Sequence, residues 1–315
     1  MRVKHRRVPR PARHGLLAAL LLAGLTATRS ASASDAAACR ELERAFDLVK
    51  LDISSVQLNA ILFSAAGKGC EPLARRLLAA GAALVARDRR GAMPLTHAAQ
   101  SGQAALVELL LAHGAPIDAR NLAGSTALHA AAENDRLAVV RLLLDKGADP
   151  NLPGRSGVTP LAAACFKGNE SIVELLLARG ADANAIDATG KAPILYAAAL
   201  GFTPIVRRLL AANVDVNARY GNDLTALMWV AGFGDGAGIL DVEQVVNLLI
   251  DRGASIDGAD NRGRTALMIA AELGHGSIVD LLLRRGADRT LTDKDGKTAR
   301  DLSANDNVRE TLAAR

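Results

Sequence analysis

Large rings are scarce in this chain. Of 315 residues, 3% are aromatic, with five Phe, two Tyr and one Trp, although half of the residues are apolar. A core built on stacked rings is excluded. Ala- and Leu-faced helices packed closely together are expected instead, and each ring becomes an informative position. Cysteine is equally sparse, at three residues, and no Cys-x-x-Cys pair occurs. The apolar run Leu16 to Leu25 is too short to cross a bilayer comfortably, since a membrane-spanning helix needs about 20 residues.

That run belongs to a segment with its own chemistry. Arg2, Lys4, Arg6, Arg7, Arg10 and Arg13 form a basic head, the apolar stretch follows, and Ala31-Ser32-Ala33 offers a small-x-small cleavage site. Residues 1–33 therefore read as a Sec-type signal peptide, which implies a periplasmic or secreted protein. Three alternatives fit less well. The Leu-rich block is too compact for an organelle transit peptide, Arg6-Arg7 is followed by Val-Pro-Arg rather than by apolar residues, and Cys39 lies too far beyond the apolar run for a lipoprotein.

Without that segment the charge changes sign. The whole chain carries +5, but residues 1–33 hold seven Arg or Lys and no acid, so the remainder is at about −2. The basic sequence pI is thus no argument for nucleic-acid binding. In an oxidising compartment Cys39 and Cys70 are candidates for a bridge, which requires Cα atoms within about 7 Å. Cys165 falls in an apolar helix and reads as a buried small residue.

A fixed period governs the rest. Gly81, Gly114, Gly147, Gly180 and Asn213 stand 33 residues apart; Gly253 follows after 40 and Gly286 after another 33. Within the period 121–153, Thr126 caps a short helix bearing Leu128, Ala131 and Ala132, and a second helix bears Val139, Val140, Leu142 and Leu143. Gly147 ends it in the left-handed conformation, which Asn213 tolerates next best. Pro72 and Pro204 fall at second-helix starts, where a backbone N–H has no partner to lose.

This grammar resembles the ankyrin repeat, on "GSTALHAAA" at 124–132, "GVTPLAAAC" at 157–165, "GRTALMIAAELGH" at 263–275 and the closing "GAD" at 147, 180 and 286. The resemblance covers residues 59 to about 312. It implies an all-α ankyrin-repeat solenoid of helix-turn-helix units, short β-hairpin fingers between them, and an L-shaped stack with a concave binding surface. The organisation expected is a signal peptide (1–33), a linker or capping helix (34–58) and repeats at 59–87, 88–120, 121–153, 154–186, 187–219, 220–259 and 260–292, with a partial one at 293–315. Asp223 replaces the finger glycine of repeat six, a strain of roughly 1 kcal/mol. Arg300 stands where a core Leu is expected, which predicts a frayed C-terminal cap.

Catalytic chemistry finds no support. His97, His113, His129 and His275 follow no metal spacing, and His129 and His275 occupy positions where the resemblance places hydrogen-bonding histidines. No His-Glu-x-x-His or Gly-x-Ser-x-Gly occurs. Gly234-Asp235-Gly236-Ala237-Gly238 follows a helix rather than a strand, so it reads as a long turn and not as a phosphate loop. No enzyme activity, cofactor or metal is assigned.

Binding has more to support it. Concave-face register puts four of the eight aromatics, Phe166, Tyr196, Trp229 and Phe233, on the open side of repeats four to six. The finger tips add Arg89, Arg90, Arg155, Lys191, Arg262, Arg264, Lys294 and Lys297, with Asp295 as the one acid among them. The expected partner is a protein with an acidic surface, bound by a monomeric scaffold in the cell envelope. The alternatives are a small-ligand-binding or enzyme-assisting role at a pocket beside the 232–241 insertion, which adds seven residues to the repeat, or an insertion that folds back over the rings.

Overall fold

The computed structural model describes residues 31–233 and 239–314. A lone helix, α1 (Ala31–Val49), precedes seven helical hairpins: α2 (Ser55–Lys68) with α3 (Glu71–Ala79), α4 (Pro94–Ser101) with α5 (Ala104–Ala112), α6 (Ala127–Glu133) with α7 (Leu137–Asp145), α8 (Pro160–Lys167) with α9 (Glu170–Ala178), α10 (Pro193–Ala199) with α11 (Thr203–Ala211), α12 (Ala226–Ala231) with α13 (Ile239–Asp251), and α14 (Ala266–Leu273) with α15 (Gly276–Arg284). A shortened pair, α16 (Ala299–Leu302) and α17 (Asp306–Ala314), closes the stack.

Each hairpin is written locally. Thr126, Thr159, Thr225 and Thr265 cap inner helices by accepting an amide three residues on. Repeats two and five instead place Pro94 and Pro193 in the first turn. Outer helices end on left-handed residues, with φ of 82° at Gly180 and 62° at Asn213. A Cβ added at Gly180 would meet nothing within 4 Å, so backbone conformation alone sets the requirement there.

Inner helices pack on inner helices and outer on outer, which makes a two-layer solenoid. Ala98, Ala131, Ala164 and Ala198 are fully buried between layers, and Leu62, Leu128, Leu161 and Leu176 fill the space around them. Small residues on the inner helices let neighbouring hairpins approach closely. Cys165 shares this core, where burial pushes its thiol pKa up.

The fingers are simpler than the expected β-hairpins. Among the described residues they form no strand, only isolated bridges at Tyr220–Leu224 and Thr292–Thr298. The reason lies at the base of the finger, where Asp or Asn takes the amides that a ladder would use. Asp88 accepts from the N–H groups of Arg90 and Ala92, both at 2.8 Å, and the Asp88 N–H donates to the Ala92 carbonyl at 3.0 Å. Neighbouring fingers join by single bonds such as Leu122 N–H to the Arg90 carbonyl, 3.0 Å. Asp223 takes up the left-handed conformation at φ 60°, next to Asn222 at 64°.

Both ends depart from the repeat. Cys39 and Cys70 form a disulfide with Cα atoms 5.3 Å apart, so α1 is bonded to the start of α3. Phe46 of α1 is buried, and Arg76 lies 5.2 Å over that ring while pairing with Asp47. The first helix of the opening hairpin starts at Ser55, where Ser54 and Gln57 form a capping box. The C-terminal cap is closed, not frayed. Arg300 points to solvent from a four-residue helix, and Val308 and Leu312 of α17 cover the exposed layer instead.

The insertion is accounted for in part. α13 has 13 residues, whereas the outer helices before and after it have nine, so four of the extra seven prolong this helix at its start. The Gly234 to Gly238 segment lies outside the described residues. Among the described residues no helix is long and apolar enough to cross a membrane.

Candidate functional site

Fingers and inner helices enclose a concave groove of about 1090 Å³ over repeats two to five, lined by Arg90, His97, His129, Glu133, Arg155, Phe166 and Tyr196 among others. Its floor is the exposed edge of α4, α6, α8 and α10. Short Ala-rich helices leave that edge low, and the finger residues rise above it as a wall.

From the end of the groove onward the rings form a ladder. Phe166 of α8 meets Tyr196 of α10 edge to face at 6.0 Å, and Trp229 of α12 stacks on Phe233 at 5.3 Å. Lys191 bridges the two pairs, with its ammonium 5.8 Å from the Tyr196 centroid and 5.5 Å from that of Trp229. Phe166 and Phe233 remain 48% and 46% exposed, whereas Tyr196 and Trp229 are half-buried against the core. The rings therefore line an open face. Leu273, one repeat further and 50% exposed, extends the apolar track.

The repeat architecture has a sequence counterpart. The family model described as ankyrin repeats (3 copies) matches residues 62–154, 151–220 and 194–293, most of the chain. The chain belongs to the ankyrin-repeat family. The crystal structure of the human ASB11 ankyrin repeat domain is similar, with 28% identity and a TM-score of 0.63 over 71% of this chain and 97% of that one. A comparison with curated proteins returned no match.

On this ankyrin scaffold the finger cations divide into two groups. Arg89, Arg90 and Arg155 are exposed and form no ion pair among the described residues. Arg262 instead pairs with Asp260 at 3.2 Å, although it is 58% exposed. Arg264, expected at the open rim, is instead largely buried: its side chain is 12% exposed and held between Glu272 and Asp293, the latter at 3.6 Å. Its pKa is raised, chiefly by the hydrogen bond to Glu272. The single acid expected along the fingers is joined by a second row, Asp88, Asp187, Asp260 and Asp293, at the finger bases. Lys294 and Lys297 are exposed at the final finger, away from the rings.

One contributor went unnoticed in the sequence. Asp187 accepts a hydrogen bond from the Tyr196 hydroxyl, as Asp88 does from His97 at 2.9 Å, in both cases from nine residues away. An acid nine positions before a polar ring was a readable signal. Burial opposes ionisation of Asp187, but the bonds from Tyr196, Thr189 and the Lys191 and Thr189 amides outweigh it and lower its pKa. Burial, reinforced by Asp187, pushes the Tyr196 pKa up to about 12. Lys167 lies 5.5 Å over the Phe166 ring.

The histidines serve structure. His275 Nδ1 meets the Ala231 carbonyl of the previous repeat at 2.9 Å. His129 is buried in the groove floor, and neither of its ring nitrogens has a hydrogen-bond partner of good geometry. Burial lowers its pKa, against smaller opposing effects of the Glu133 charge and the Val158 backbone. The pocket expected beside the insertion falls on Gly234 to Gly238, which lie outside the described residues.

Proposed function

We propose that this chain is a non-catalytic scaffold of the cell envelope, exported by its basic-apolar leader, that binds an acidic protein partner along the groove. The family supports a protein-binding role in general, because ankyrin repeats mediate protein–protein interaction. The observation that carries the finer reading is the ring ladder beside cations without carboxylate partners. Exposed rings attract apolar anchors, and unpaired cations select an acidic surface while penalising a basic one. The export reading rests on Arg2 to Leu25 and on the Cys39–Cys70 bond, a linkage that persists in oxidising compartments.

The test is recovery of partners from envelope extract on wild type, Trp229→Ala and a variant lacking 234–240. A partner protein retained by wild type and lost from both variants, with helical content unchanged, is the expected result. Equal recovery on all three removes the ladder from the interface. Mass spectrometry of the mature N-terminus tests export separately: cleavage near Ala33 is expected, and an intact Met1 in the envelope fraction contradicts it.

A further inference from the structure

The position of Lys191 has a more specific consequence. Its ammonium lies between two ring faces, 5.8 Å from Tyr196 and 5.5 Å from Trp229. Its backbone is pinned as well, since its N–H donates to Asp187 and its carbonyl accepts from the Asp187 N–H. The acid at the base of the same finger is already engaged: Asp187 accepts from Tyr196, Thr189 and backbone amides, and Lys191 forms no ion pair among the described residues. The cation is thus positioned, half-buried and without a carboxylate. On each side of it is an apolar station, Phe166 with Tyr196 on one and Trp229 with Phe233 on the other.

The two ring centroids lie 5.8 and 5.5 Å from the ammonium, steps that same-face side chains of an extended chain, about 6.4 to 6.8 Å apart, can follow with small side-chain adjustments. A helix offers comparable steps only between residues three or four apart, so an acid required at i+2 separates the two conformations. We propose that this site reads an extended peptide with an acidic residue at i+2, whose carboxylate meets Lys191, and apolar residues at i and i+4, which lie on the two ring pairs. The proposal rests on the scaffold reading above and specifies its partner. Ring faces hold the ammonium in place and leave its N–H donors for the incoming carboxylate, so the cost of ordering a flexible lysine is met before binding.

The probe is a peptide array with Ser spacers, varied apolar residues at i and i+4, and Glu at i+2. Companion arrays carry Gln at i+2 or move the Glu to i+1. Binding to the full chain is followed by the emission of Trp229, the one tryptophan. Glu peptides are expected to bind roughly tenfold more tightly than Gln peptides, the scale of a charge-assisted bond at a partly exposed site, and displacing the Glu by one residue should abolish the preference. Lys191→Met, which keeps the stem and removes the charge, should erase the Glu-over-Gln difference while retaining weak apolar binding. Lys146→Met, at the exposed end of the outer helix α7, should change nothing. Equal affinity for Glu and Gln peptides, a preference that survives in Lys191→Met, or no binding by any Glu peptide overturns the proposal. So does a tenfold gain on deleting 234–240, which would make the insertion itself the occupant. Partner capture that is sensitive to Trp229→Ala but without Glu preference would leave the scaffold reading standing and remove only this one.

Discussion

His129 is where the groove floor carries a titratable group without a good partner. Burial lowers its pKa below the unfolded value of about 6.5, so the folded state holds the neutral ring. The sign follows directly. Above pH 6.5 neither state is protonated and the contribution is intact; as pH falls through 6.5 the unfolded chain binds the proton first, and stability drops until the folded pKa is reached. Within that window the slope approaches about 1.4 kcal/mol per pH unit. Wild type should therefore lose more stability between pH 7.5 and 5.5 than His129→Gln, as read from urea midpoints. Parallel pH profiles for the two proteins would mean that the ring is solvated or hydrogen-bonded in solution. The carboxylates with lowered pKa, such as Asp187, act in a separate window below about pH 4.

At the level of elements, α1 is the part whose stability depends on one covalent bond. Its contacts are Phe46, the Arg76–Asp47 pair and the packing on α2 and α3, a small set for a 19-residue helix. Cross-linking positions 31 residues apart stabilises by about 3–4 kcal/mol through the unfolded chain. Cys39→Ser, or reductant on wild type, should lower stability by that order. Hydrogen exchange should show the loss confined to α1, α2 and α3; unchanged protection of α1 would show that packing alone holds it. The elements are also where sequence and structure agree most. Thr caps, the prolines at helix starts and the left-handed terminators act within a few residues, so Thr126, Pro204 and Asn213 were legible alone. The ring positions were legible too, because helical register fixes a face. Arg264 was not, since its neutralisation comes from Asp293 in the next repeat. Lys191 was read as a rim cation, and its place between two rings depends on how successive hairpins rotate. The helical share of the insertion was likewise hidden, because a longer α13 and a longer turn have the same length in sequence.

For the whole molecule, stability is a sum over neighbouring hairpins, and this chain carries a local reporter of it. Trp229 sits in repeat six, so its fluorescence follows the C-terminal half, while far-UV circular dichroism follows every helix. Leu73 in repeat one and Leu249 in repeat six are both fully buried, and truncating either to Ala costs about 2–5 kcal/mol. In a stack whose units touch only their neighbours, that loss stays near its origin. Leu73→Ala should therefore start the circular dichroism transition at lower urea while the Trp229 transition stays near its wild-type midpoint; Leu249→Ala should move both. Coincident shifts of the two probes in Leu73→Ala would show that the solenoid unfolds as a single unit. The distinction bears on binding, because a stack that yields in sections can lose its N-terminal hairpins while the Phe166 to Phe233 ladder stays assembled. Partner affinity in Leu73→Ala should then match wild type at urea concentrations where its circular dichroism has already begun to fall.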